Sequence, residues 1–187
     1  MKFYLFTYSD EPVTDYVVCY VKESSPWFYL CWSLGKPFDE AFPTPIIYYA
    51  DREEELQDYP LTNADQFLVS NTFHDVLVAS GAKFASYESK IILPSGDILS
   101  HYFTLNFTES YFVLDRERSV FENDPDFPET HVYRIKKLIL KSDLIPKDTQ
   151  IFRLGESEIN IIISEKLKQR IESKNLTGIE FNEIQAS

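Results

Sequence analysis

The chain has 187 residues, 44% of them hydrophobic, with 30 acids against 18 bases and a formal net charge of −12. That length suits one domain burying roughly 70% of its unfolded surface. The acidic balance disfavours a nucleic-acid backbone as partner, and no run of about 18 apolar residues predicts a membrane helix.

The opening residues carry a lysine at position 2 but no long apolar stretch before Asp10 and Glu11, so they read as a strand and not as a secretory leader. A cytoplasmic protein with no membrane partner is expected. Residues 2–8 and 15–22 are aromatic and β-branched, and they are expected to pair across "SDEPVT". "PWFYLCW" (26–32) is a third strand. "SLGKPFDEAFPTP" (33–45), with one glycine and three prolines, is loop. A short strand at 46–49 leads into "DREEELQD" (51–58).

A helix is predicted over 64–80. Asn63 caps it, Phe67, Leu68, Phe73, Val76 and Leu77 lie near helical spacing, and Gly81 stands at the C′ position. His74 falls beside that apolar stripe. Residues 87–107 read as strand, turn and strand around Pro94-Ser95-Gly96-Asp97. Residues 108–131 form an acidic connection, and "HVYRIKKLILK" (131–141) is a strand. Residues 149–154 and 158–163 are strands turned near Gly155. Ser164 caps a helix over 165–175, Asn175 suits its left-handed end, and "TG" turns the chain. The final strand, 179–184, sets Ile179, Phe181 and Ile184 on a core and its polar residues in water. The fold class expected is α+β: a mostly antiparallel sheet covered by two main helices. Residues 1–187 form one domain, with room for a small N-terminal β lobe over 1–50.

Chemical motifs fail on spacing. "GESE" and "PSGD" do not match a nucleophile elbow, and five glycines include no phosphate-binding loop. Asp124 and Asp126 lack the rest of a calcium loop. Cys19 and Cys31 read as buried thiols in a reducing compartment, and His74, His101 and His131 are scattered. No catalytic residue, metal or cofactor is predicted from these patterns, although a cysteine–histidine pair formed only in space stays open.

Charge is unevenly placed. Residues 1–130 hold 22 acids and 8 bases, and residues 131–187 hold 8 acids and 10 bases. The excess concentrates at 51–58 (−4) and 109–129 (−5). A solvated surface explains either segment alone. Together they suggest a docking face for a basic partner, which accelerates encounter more than it tightens binding. The candidate contacts are Asp51, Glu53, Glu54, Glu55, Asp58, Tyr59, Glu122, Asp124 and Asp126. Other aromatic residues near these segments, such as Tyr48, Tyr49, Phe121 and Phe127, are either anchors or ordinary core.

"SLGKPFDEAFPTP", the helix after it, "HYFTLNFTESYFVLDRERS", "HVYRIKKLIL" and "EINIIISEKLKQRIESKNLTGIEFNEI", in that order, resemble a bacterial immunity-protein family of polymorphic toxin systems, first catalogued as a domain of unknown function. The ending is the most specific part: a helix, a Leu-x-Gly turn and an aliphatic-x-Phe strand. The resemblance spans about residues 30–184. It implies a cytosolic antitoxin without catalysis or cofactor, and a cognate toxin as partner, such as a basic nuclease whose active site it occludes. A small cytosolic enzyme or small-molecule-binding protein is the alternative, and an adaptor is the third reading.

Overall fold

A computed structural model describes residues 2–9, 17–21, 35–36, 44–63 and 66–186. The strand expected at 26–32, with Cys31, lies outside them, as does most of the 33–45 loop. In chain order the strands β1 (Phe3–Tyr8), β2 (Val18–Tyr20), β3 (Ile46–Ala50), β4 (Leu61–Thr62) and β5 (Phe67–Ser70) precede helix α1 (Asn71–Ser80). Strands β6 (Phe84–Ile92), β7 (Ile98–Phe107), β8 (Ser110–Tyr111), β9 (Val120–Asn123), β10 (Val132–Lys137), β11 (Ile139–Leu140), β12 (Ile151–Leu154) and β13 (Ser157–Ser164) follow. Helix α2 (Glu165–Glu172) and strand β14 (Ile179–Ala186) complete the order.

The expected architecture, one antiparallel sheet covered by two helices, is corrected. The protein is mostly β. One six-stranded sheet runs β11-β14-β1-β13-β12-β8, another runs β4-β2-β3-β6-β7-β5, and β9 and β10 form a separate ribbon. Residues of both sheets meet in one core: Tyr4, Phe6, Ile151, Ile161 and Ile163 from the first, and Phe67, Val69, Leu105 and Phe107 from the second. The helices add Phe73, Val76, Leu77, Leu167 and Ile171 to that core instead of forming a layer of their own. They also meet each other, since Arg170 Nη1 donates to Ala79 O at 2.7 Å, near the carbonyl end of α1.

Helix α1 starts at Asn71, not at 64, because "FLV" is buried on both sides. Phe67 and Val69 enter the shared core, while Leu68 enters a third cluster with Cys19, Ile46, Tyr48 and Ile91. A contiguous apolar run with two buried faces is a strand. Ser70 caps the helix instead of Asn63, its Oγ accepting from Phe73 N at 3.2 Å. Gly81 closes it in the left-handed conformation. Helix α2 follows its signals closely, with Ser164 Oγ accepting from Leu167 N at 3.2 Å and Asn175 at φ 52°.

Strands β6 and β7 pair antiparallel around the predicted turn, as do β12 and β13. Other pairings differ from expectation. β1 does not pair with β2; it lies between β13 and β14. The 131–141 segment breaks into β10, in the ribbon, and β11, which pairs parallel with β14. β14 is flanked on both sides, and both its faces carry apolar contacts: Ile179 and Phe181 pack on the shared core and Ile184 in the cluster on the sheet's other side. Among the described residues, no helix is long and apolar enough to cross a membrane.

Candidate functional site

The two acidic segments attach to different sheets. Residues 51–58 extend β3. Asp51 Oδ1 accepts from Val18 N at 3.0 Å, and its N–H donates to Val18 O at 3.1 Å, so this acid prolongs the β2–β3 pairing. Arg52 reaches Asp51 Oδ2 at 3.4 Å and Glu54 Oε2 at 3.6 Å. Glu53 Oε1 accepts from Ser95 N, tying the segment to the β6–β7 turn. Glu53, Glu54 and Glu55 are exposed.

The far end of this segment is structural. Asp58 Oδ2 accepts from Thr177 N at 3.0 Å and from Thr177 Oγ1 at 3.2 Å, and Oδ1 accepts from Ser70 Oγ. One carboxylate thus fastens the cap of α1 to the turn before β14. Tyr59 is buried, stacked on Tyr8 with centroids 4.4 Å apart and beside Phe6 at 4.9 Å. It is a core residue, not a surface anchor, and Tyr48 is equally buried. Gly178 fits beneath it only as glycine: φ is +84°, and a Cβ would stand 2.4 Å from Tyr59 O. That contact explains the Leu-x-Gly turn near the end of the sequence.

Residues 109–129 wrap the outer face of the first sheet. Val113 and Leu114 join Phe152, Leu154, Ile162 and Ile184 in its outer cluster. Glu109 pairs with Lys83 at 2.8 Å, and Glu122 with Lys136 at 2.8 Å. The Lys136 hydrogen bond and charge hold Glu122 below the usual carboxylate range. Asp124 Oδ1 accepts from Asp126 N at 2.8 Å and Phe127 N at 3.1 Å, closing a turn. Asp126 is exposed. Phe121 is half-buried under the Arg116 guanidinium, which lies 5.3 Å from its ring centre.

Sequence reasoning missed three buried charged groups: Asp115, whose Oδ1 accepts from Glu117 N and Arg118 N at 3.2 Å, Arg153 and Glu156. Arg153 is 2% exposed; its guanidinium donates to Phe107 O at 2.8 Å, Glu158 O at 2.7 Å and Asn106 Oδ1 at 3.4 Å. Burial pushes its pKa down to about 10, with Glu158 opposing the shift. Gly35 packs against that side chain and Phe107 O, closer than any Cβ allows, and Lys36 O accepts from Asn106 Nδ2 at 2.6 Å. The glycine of "SLGKP" is therefore a packing requirement. Glu156, in the β12–β13 turn, is buried and its pKa is raised by desolvation, although Oε1 accepts from Leu114 N at 3.0 Å.

Among the described residues the candidates for chemistry form no cluster, and Cys31 lies outside them. Cys19 is a free, buried thiol, its pKa pushed up to about 12 by burial and then by Asp51, so it is protonated and unreactive. His74 lies flat on Phe103 within α1 at 4.2 Å, His101 is exposed on β7, and His131 belongs to the second acidic segment's end. Among the described residues no three metal-binding side chains converge. A groove of about 350 Å³ between β10 and the faces of β1, β13 and β14 has no histidine or cysteine in its lining, which includes Leu5, Ile135, Lys137, Asn160, Asn182 and Gln185.

No curated protein matches this chain. A family model described as an immunity protein family (Imm11) matches residues 15–186, and the chain belongs to that immunity protein family, whose members imply a cognate toxin as partner.

Proposed function

We propose that this protein is a cytoplasmic antitoxin that protects its own cell by binding a toxin encoded nearby, occluding the toxin's active site without turnover. Membership of the immunity family over residues 15–186 carries this reading. The chain acts as one unit, since residues from both sheets and both helices share a core. The toxin it suits is basic, as nucleases are, because acids outnumber bases 22 to 8 in the first 130 residues.

Within the acidic set, the exposed Glu53, Glu54, Glu55 and Asp126 are the steering charges, although Glu53 also accepts from Ser95 N and Glu54 lies 3.6 Å from Arg52. Asp58 and Tyr59 hold the fold, Asp51 prolongs a sheet, Asp124 shapes a turn, and Glu122 is neutralised by Lys136. The test is co-expression with the product of the adjacent toxin reading frame. Growth should be rescued by the wild type and by variants of Cys19, Cys31, His74 and His101 alike. Failure of the wild type to bind or rescue overturns the reading. Loss of rescue through one of those residues, with the fold intact, points to catalysis instead.

A further inference from the structure

Three rings stand in a row where the second acidic segment meets the β12–β13 turn. Phe112 is 59% exposed and Phe127 is 62% exposed. His131 lies between them, its ring centre 6.2 Å from that of Phe112 and 5.8 Å from that of Phe127. Such large apolar rings are normally core, and both segments that carry them also contribute buried residues, Val113, Leu114 and Val132. Phe112 faces water although Val113 and Leu114 beside it are buried, and Phe127 stands in a loop with no strand or helix around it.

They are also held in place. The Phe112 ring lies over the backbone of Gly155; a Cβ there would sit 2.7 Å from its Cδ2 and 2.9 Å from its Cγ. The Phe127 loop is closed by the Asp124 carboxylate and by Thr130 N and His131 N, which donate to Phe127 O at 3.2 and 2.9 Å. Pro125 and Pro128 flank the ring and restrict the chain further. His131 is clamped, its Nδ1 on Thr130 Oγ1 at 2.8 Å and its Nε2 on Glu158 Oε1 at 3.3 Å. Val132 N donates to Glu156 O at 2.8 Å, fastening the loop to the turn. A ring that is exposed yet fixed loses little freedom when a partner covers it, so most of the gain from burial appears as affinity.

The rim decides what covers it. Asp124, Asp126 and Glu129 lie within three residues of Phe127 in the same loop, and Glu158 pairs with His131. Arg116, in the same segment, is turned inward onto Phe121, Asn123 and Pro128 O. An apolar centre with an acidic rim complements a surface whose apolar centre has a basic rim. We infer that Phe112 and Phe127, bracketing His131, form the apolar anchor of the toxin contact, and that the toxin presents an apolar patch ringed by lysine or arginine. The inference rests on the antitoxin reading and deepens it: the 51–58 carboxylates act at a distance, and the rings hold.

Binding kinetics of the full-length protein with the adjacent frame's toxin test this. Phe112→Ala and Phe127→Ala should each raise the dissociation rate roughly tenfold or more, with the association rate nearly unchanged. Gly155→Ala, which removes no contact atom but displaces the Phe112 ring, should also raise it; circular dichroism confirms that each variant is folded. A photo-crosslinking residue at position 127 should capture the toxin. If the wild type binds the toxin but the double phenylalanine variant dissociates within twofold of it and no crosslink forms, the anchor is elsewhere and the antitoxin reading stands. If the wild type forms no complex, the antitoxin reading falls and the anchor with it.

Discussion

The two acidic segments look alike in sequence and differ in what their acids do. In residues 51–58 the terminal acids are internal fastenings, Asp51 to Val18 and Asp58 to Ser70 and Thr177, while the middle three are exposed, Glu53 also accepting from Ser95 N. In residues 109–129 the buried Val113 and Leu114 and the half-buried Phe121 stand among the acids, and several acids are matched: Glu109 by Lys83, Glu122 by Lys136, Asp124 by two backbone N–H groups. The first segment is an exposed charge held at two ends; the second is a wrapped strap that presents two rings. Net charge alone cannot separate a carboxylate that steers from one that fastens, because a fastening such as that of Asp58 depends on a partner far away in sequence.

The comparison breaks first, and most severely, if the chain end is removed. The Asp58 fastening has its partner at Thr177, 119 residues on, and β14 follows directly. Ending the chain at Leu176 deletes Phe181 and Ile184, which sit in different clusters, and opens one edge of β1. Full burial of such a side chain, as for Ile184, contributes about 1.5–3 kcal/mol, and the half-buried Phe181 contributes less, against a typical stability of about 5–15 kcal/mol. The shortened protein should be insoluble or should melt without cooperativity. An unchanged melting temperature would show that β14 is an accessory strand.

A sharper cut distinguishes fastening from steering within one segment. Asp58→Ala leaves Thr177 N, Thr177 Oγ1 and Ser70 Oγ without their carboxylate, and hydrogen bonds to a charged group contribute about 1.5–3 kcal/mol. Chemical denaturation should show a loss of roughly 2–3 kcal/mol. The triple change Glu53→Gln, Glu54→Gln, Glu55→Gln should stay within about 0.5 kcal/mol of the parent. It should instead slow association with the toxin several-fold at low salt, and the gap should close as salt rises past about 0.15 M, where screening acts within about 8 Å. Equal stability losses for the two variants would erase the distinction.

Much of the local structure was legible because its signals are local. The 87–107 and 149–163 hairpins carry their turn residues, and α2 carries its Ser164 cap and Asn175 ending. What was not legible depends on a second buried face. "FLV" at 67–69 fits a helical stripe until Leu68 is seen to enter a different cluster from its neighbours. Tyr59 follows an acidic run, as an anchor would, yet it stacks on Tyr8, contributed by the first strand of the chain. Phe112 and His131 were invisible as a site, since only the fold brings β10, the 111–114 strap and Gly155 together. The one local hint was "NDPDFPE", whose prolines flank an aromatic residue with no strand or helix to bury it.

On the strap side, a smaller loss is expected from Asp124→Ala. It removes two backbone hydrogen bonds from an exposed turn, worth about 1 kcal/mol in stability. Its larger effect should be on the toxin, because the Phe127 loop loses its closure: the dissociation rate should rise, with the melting temperature falling by only a few degrees, roughly as a 1 kcal/mol change does for a chain of this size. A normal dissociation rate would mean that the prolines alone hold the ring.

The smallest effect concerns pH and the turn beneath the rings. Burial raises the Glu156 pKa above the ordinary value of 4.5, and hydrogen bonds from backbone N–H groups only partly oppose this. The folded protein therefore binds the Glu156 proton more tightly than the unfolded chain does. The stabilisation linked to that proton is complete below the unfolded value and is lost as pH rises through the folded one. Glutamine cannot titrate and keeps an oxygen to accept from Leu114 N. Whatever the offset between the proteins at neutral pH, the wild type should gain on Glu156→Gln as pH falls from 7 towards 5. Glu55→Gln, at an exposed site, gives the baseline for losing one charge. Paired thermal melts across that range measure the difference directly. A difference that stays level, or moves the other way, would mean that water reaches the Glu156 carboxylate in solution and that the turn carrying Gly155 is less closely packed than its contacts with Phe112 and Leu114 indicate.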